Sequence, residues 1–170
     1  MTINAAAKGR WIPEICKLWI EEGLQPQCVR DGVPHDPDRC TGVHWGGTSH
    51  ASFATPELLK LMRQAGCSQL LYGYESFSER VLRNVGKATT PANNEKSLRM
   101  TIEAGIRPIP NTMMGFPDEF TDDIIDTVQA CMKLGIESVP FFATAYPGTE
   151  WYNKYRAKIL AQYGNNMDAL

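Results

Sequence analysis

Apolar positions along this chain fall into two alternating periods. Stretches with hydrophobic residues three or four apart, the spacing of one helix face, end in a glycine and pass into short, nearly continuous apolar runs of strand character. The first helical stretch covers about residues 5–22, where Trp11, Ile15, Leu18 and Trp19 share a face and Gly23 supplies a stop. A second opens at Thr55-Pro56, an N-cap followed by proline in the first turn. It buries Leu58, Leu59, Met62 and Ala65, ends at Gly66, and leads into a strand over residues 68–74. The third opens at Thr90-Pro91, carries Leu98 and Ile102, and closes at Gly105 before a strand over residues 106–114. The fourth takes Thr121 as its cap, with Asp122 and Asp123 suited to the positive helix start. Its apolar side is Ile124, Ile125, Val128, Cys131 and Met132; Gly135 stops it, and residues 136–143 form the next strand. A last helix begins near Thr149 and carries Trp151, Tyr152, Tyr155 and Ile159.

With a short strand around residues 43–48, four strands alternate with helices. That order predicts an α/β fold with a parallel sheet and helices packed outside it. Four such units are half of an eight-stranded barrel, or a small open sheet. Either way the functional edge lies where strands end and loops begin: residues 47–52, 73–76, 114–119 and 143–149. Residues 25–42, QPQCVRDGVPHDPDRCTG, break the pattern; rich in Pro, Gly and Asp, they read as a surface loop inserted in a single domain spanning residues 1–170.

Composition narrows the function classes. A chain of 170 residues with 43% hydrophobic and 21% charged residues is an ordinary globular domain. Its net charge of −2 gives no footprint of a nucleic-acid or anionic-membrane binder, and no apolar run approaches a membrane span. The N-terminus lacks the basic start and apolar run of a secretion signal. Five dispersed cysteines, Cys16, Cys28, Cys40, Cys67 and Cys131, then read as free thiols of a cytoplasmic protein.

Three segments at the strand edge carry candidate chemistry. In Gly73-Tyr74-Glu75-Ser76, a carboxylate and a hydroxyl follow an apolar strand, where together they can bind a ribose or an amino group, and Gly73 permits close backbone approach. Equally, Ser76 or Ser78 could cap the next helix with Glu75 solvated. Gly115-Phe116-Pro117 makes a tight turn that can present backbone groups to a ligand, or can be a plain connection. Tyr146-Pro147-Gly148-Thr149 is a turn and cap in which Tyr146 can stack on a flat ring or simply pack.

The ordered set resembles one family. Trp45 with Ser49-His50, Ala65-Gly66-Cys67, Gly73-Tyr74-Glu75-Ser76, Lys87, Ala104-Gly105-Ile106, Gly115-Phe116-Pro117 and Pro147-Gly148-Thr149 stand in the sequence and spacing of radical S-adenosylmethionine (SAM) enzymes. The resemblance is to the group whose longer members carry a cobalamin-binding domain. It implies a partial (β/α) barrel, TIM-like, whose strand ends bind SAM beside a [4Fe-4S] cluster. In that family an electron from the cluster cleaves SAM to a 5′-deoxyadenosyl radical, which abstracts hydrogen from a substrate. By analogy Glu75 and Ser76 face the ribose or methionyl part of SAM, with Gly73 beside them. Gly115 and Tyr146, Pro147 and Gly148 lie near the adenine. Thr2-Ile3-Asn4 resembles the end of the loop after the family's second strand.

Two departures qualify the resemblance. The family's Cys-x-x-x-Cys-x-x-Cys run is absent, so the chain is expected to match the later part of the barrel, without cluster ligands of its own and inactive in isolation. The remaining strands would come from a missing N-terminal half or a companion subunit. His50 stands where the family usually has an arginine, often near the SAM carboxylate; histidine is shorter and largely neutral at pH 7. Cys28, His35, Cys40 and His44 are acceptable zinc ligands, but they lack the close Cys-x₂₋₄-Cys pair, and a metal-free loop is the expectation.

Overall fold

The computed structural model describes residues 10–36, 39–138 and 140–163. Its elements are α1 (Trp11–Glu21), α2 (Gln27–Asp31), β1 (Trp45–Ser49), α3 (Pro56–Gln64), β2 (Cys67–Glu75), α4 (Glu79–Asn84), α5 (Pro91–Glu103), β3 (Arg107–Met114), α6 (Thr121–Lys133), β4 (Phe141–Phe142) and α7 (Glu150–Tyr163). The four strands pair in the order β1-β2-β3-β4, all parallel, in a curled half-barrel with the helices outside.

The punctuation behaves as its chemistry requires. Thr55 Oγ1 accepts from the Leu58 amide and Thr90 Oγ1 from the Asn93 amide, each ahead of a proline that sits where a helix needs no donor. Thr149 Oγ1 likewise accepts from the Tyr152 amide. The start of α6 differs from expectation. Thr121 is already inside the helix, and the third helical residue, Asp123, reaches back to accept from the Phe120 amide at 2.8 Å. Three boundaries also move. Residues 1–9, including Thr2-Ile3-Asn4, lie outside the described set, so α1 is seen from Trp11. Among the described residues the fourth strand, expected over 136–143, pairs over two positions, Phe141 with Met113 and Phe142 with Met114. The 25–42 segment, expected without periodicity, contains α2, closed by Gly32 in the left-handed conformation.

The core lies between the convex face of the sheet and the helices. Leu70, Tyr72 and Tyr74 alternate along β2 toward this side and are buried. The two tyrosine rings stack at 5.1 Å and 8°, and their hydroxyls meet Thr101 and Ser97 of α5 at 2.8 and 2.7 Å. A buried phenol needs such a partner, and α5 supplies one per turn. Trp45 donates through Nε1 to the Ala65 carbonyl at 2.8 Å and meets Trp19 of α1 edge-on. Gly66 admits the crossing chain: a Cβ there would lie 2.5 Å from Pro26 and 2.6 Å from the Val43 carbonyl oxygen.

Candidate functional site

The ends of β2, β3 and β4 frame a cleft of about 410 Å³ on the concave side, lined by Gly73, Glu75, Asn111, Met113, Phe141, Phe142, Thr144 and Tyr146. Its floor comes from strand alternation. Positions 71, 73 and 75 of β2 and 109, 111 and 113 of β3 point away from the helices, and none is fully buried. A bulge then re-aims the end of β2: the register with β3 slips between Gly73 and Glu75, and Glu75 takes a φ of 62°. A non-glycine residue in the left-handed region is uncommon, and bulges concentrate beside active sites.

Glu75 does not stand alone. Lys87, on the loop after α4, reaches back to donate from Nζ to Glu75 Oε1 at 2.7 Å, and both side chains are about four-fifths covered (23% and 22% exposed). Gly73 makes room for the pair: a Cβ there would meet Glu75 Oε1 at 3.1 Å and Lys87 Nζ at 3.3 Å. His50 lies in the same field. Desolvation, and secondarily the Lys87 charge, hold its pKa below the usual histidine value, partly offset by Glu75. Its Nδ1 accepts from the Ser52 amide at 3.2 Å, closing the turn after β1.

The other sequence candidates are placed differently. Ser76 is fully buried, its hydroxyl between Thr127 Oγ1 at 3.1 Å and the Ser78 amide at 3.0 Å, and it does not line the cleft. Gly115 has a φ of 82°, and its amide donates to Glu119 Oε2 at 2.5 Å, as does the Phe116 amide at 3.3 Å. Tyr146 is exposed on the cleft wall, while Pro147 and Gly148 are exposed in the turn beyond it.

Several residues unmarked in the sequence build the support. Asn94 of α5, fully buried, donates from Nδ2 to the Ser76 carbonyl at 3.2 Å and the Tyr74 carbonyl at 3.5 Å, and its Oδ1 accepts from Thr89 at 2.9 Å. It thus ties down both flanks of Glu75. Asp123 accepts from Ser78 Oγ at 2.6 Å and also from Arg80, whose guanidinium lies over the Phe120 ring. Periodicity alone marks Asn94 and Thr127 as polar residues on a helix; only their contact with the bulge reveals their work.

The thiols divide into two groups. Burial pushes Cys16 up to about 11 and Cys67 up to about 12, and both lie in the core among apolar side chains. Cys131 is buried and raised too. Cys28 and Cys40 instead meet His35 and His44 in the 25–44 segment, where the four ligand atoms lie within 4.8 Å of one another. Among the described residues no three thiols converge, so this chain's cysteines do not fit a [4Fe-4S] cluster of the radical SAM type.

A family model for the radical SAM superfamily matches residues 12–148. The chain belongs to the radical SAM superfamily. A curated relative, an uncharacterised methyltransferase of Pyrococcus horikoshii, is 31% identical over 108 residues, which is 63% of this chain and 24% of the relative. The chain therefore spans about a quarter of the length of the curated relative it matches. Among solved structures, the radical SAM methyltransferase TsrM of Kitasatospora setae, with cobalamin and a [4Fe-4S] cluster bound, superposes with a TM-score of 0.65 at 18% identity, covering 87% of this chain and 28% of that one. The cobalamin-dependent radical SAM enzyme OxsB gives 0.59 at 16% identity over 90% and 20%. Coproporphyrinogen III oxidase of Escherichia coli gives 0.58 at 14% over 89% and 37%. These likenesses establish the radical SAM barrel fold for this chain. Among the described residues no helix is long and apolar enough to cross a membrane.

Proposed function

We propose that this chain forms the SAM-facing strand edge of a radical SAM enzyme, with SAM held in the cleft between β2, β3 and β4. The observation that carries the reading is the strained Glu75, paired with Lys87 over a side-chain-free Gly73 at the floor of that cleft. The volume of about 410 Å³ suits a nucleoside-sized ligand. Glu75 accepts from ribose hydroxyls or the methionyl amine, and Lys87 fixes the carboxylate until they arrive. Tyr146 and the phenylalanines of β4 offer flat apolar surface to the adenine. Ser76, Gly115, Pro147 and Gly148 then act from behind the wall by fixing its turns, and His50 closes the β1 side.

SAM bound beside a reduced cluster supplies the 5′-deoxyadenosyl radical in this family. Here the cluster ligands come from outside the described residues, and the isolated chain binds SAM without cleaving it. Methyl transfer is the reaction class favoured by the curated relative's description. The five unpaired cysteines suit a reducing, cytoplasmic setting.

Isothermal titration of the purified chain with S-adenosylhomocysteine tests the cleft. Saturable binding that weakens about tenfold in Gly73→Val is expected, and undiminished binding in that variant would refute the assignment. Anaerobic reconstitution with iron, sulfide and reductant should yield no cluster-dependent 5′-deoxyadenosine.

A second reading rests on β4. Phe141 and Phe142 are 56% and 75% exposed on β4, the edge strand of the sheet, and an edge strand is a ready template for a further strand. Strands from elsewhere in the same polypeptide or from a companion subunit would cover them and complete the barrel, making the chain an assembly module. Sedimentation of the chain with and without that complement distinguishes the two, and a stable monomer indifferent to it would eliminate the second.

A further inference from the structure

We propose that Cys28, His35, Cys40 and His44 form a structural zinc site that staples the segment before β1 to the barrel. The sequence spacing, with six, four and three residues between successive ligands, lacks a close cysteine pair, and the fold supplies the proximity instead. Two backbone bonds close the neck of the segment, Val43 N–H to the Leu24 carbonyl at 2.9 Å and Gln27 N–H to the Thr41 carbonyl at 2.8 Å. They bring the start of α2, which carries Cys28, against the return stretch that carries Cys40 and His44.

The four ligand atoms lie within 4.8 Å of one another, and three sulfur–nitrogen pairs already stand near the separation a tetrahedral ion needs. Cys28 Sγ lies 3.8 Å from His35 Nδ1 and 3.8 Å from His44 Nε2, and Cys40 Sγ lies 3.7 Å from His44 Nε2. Zn–S and Zn–N bonds of about 2.3 and 2.05 Å at a tetrahedral angle put sulfur and nitrogen about 3.6 Å apart. The Cys28 amide also points at Cys40 Sγ, at 3.4 Å, as an outer donor to a thiolate. Binding releases the two thiol protons to solvent and moves no electrons. Two thiolates and two neutral imidazoles then neutralise one Zn²⁺.

Location gives the site its role. It precedes β1 and so lies at the opposite end of the strands from the SAM cleft. Four protein ligands leave no open position for catalysis. Among the described residues of the segment 25–43, only Pro26 and Cys28 are buried, and Val33 and Val43 are exposed. Apolar burial is too small to offset the entropy of ordering such a stretch, whereas a metal bridging four points along it is not.

The test uses the 170-residue chain, purified under reductant with zinc or Co²⁺ supplied. One zinc per chain by elemental analysis is expected, and a Co²⁺ spectrum with tetrahedral ligand-field bands and thiolate charge transfer. Cys40→Ser and His44→Ala should each weaken metal retention by about tenfold or more. The spectrum needs no variant, so a misfolded mutant does not remove the test. Chelation should speed trypsin cleavage after the exposed Arg30 and Arg39 by about tenfold, because the segment opens. Sub-stoichiometric metal, an octahedral or thiolate-free cobalt spectrum, retention unchanged in both variants, or cleavage indifferent to chelation would each overturn the proposal.

Discussion

The two faces of the sheet obey opposite rules. On the convex face Leu70, Tyr72 and Tyr74 are buried, and each phenol is answered by a hydroxyl of α5. On the concave face Thr48, Gly73, Glu75 and Asn111 are small or polar and remain accessible. Leu71, Ile109 and Met113 share that face, so it mixes apolar and polar positions, whereas a closed TIM barrel fills its interior with branched apolar side chains. The convex face should therefore answer mutation with unfolding, and the concave face with lost binding.

The largest expected effect is on the convex side. Tyr74→Ala removes a stacked, fully buried ring and its bond to Ser97; it should cost about 3–5 kcal/mol, read by urea denaturation. Asn94→Ala comes next, at about 2–3 kcal/mol, because it takes the Nδ2 donor from the Ser76 carbonyl and the acceptor from Thr89, while the Tyr74 carbonyl keeps the Ser76 amide. A smaller cost would show that the bulge holds itself. Lys87→Met on the concave side should change stability by no more than about 1 kcal/mol, as one partner of a partly exposed ion pair. It should nevertheless weaken S-adenosylhomocysteine binding severalfold by freeing Glu75. Equal losses in stability and binding would erase the distinction between the faces.

The smallest effect is a pH dependence. His50 has its pKa depressed in the folded state, so the unfolded chain binds the extra proton more readily. Its contribution is fully present above the unfolded value of about 6.5 and declines as pH falls through that value toward the lower folded one. The loss levels off below the folded pKa. His50→Asn should flatten this part of the stability-pH curve in chemical denaturation, and an unchanged slope would assign it to another group.

Much of this was legible in the residues. Thr-Pro helix starts and glycine stops act through local sterics and hydrogen bonds, so Thr55-Pro56 and Thr90-Pro91 announce α3 and α5 without tertiary help. The alternation of helix and strand fixes a parallel sheet, and the order of short motifs from Trp45 to Thr149 fixes the radical SAM superfamily. What the tertiary structure decided lies between residues far apart in the chain. Ser76 reads as a ligand contact beside Glu75, yet neighbours on a strand point to opposite faces, and the bulge turns Glu75 to the cleft while Thr127, 51 positions away, claims Ser76. Lys87 belongs to the family spacing in the sequence, but its partner is named only when α4 brings it onto Glu75. The cysteines and histidines of the 25–44 segment fail a spacing rule built on local geometry but meet the distance requirement once the neck closes. Sequence spacing reports only what the local backbone can bring together; a site assembled across a fold is set by packing, which no short window of residues contains.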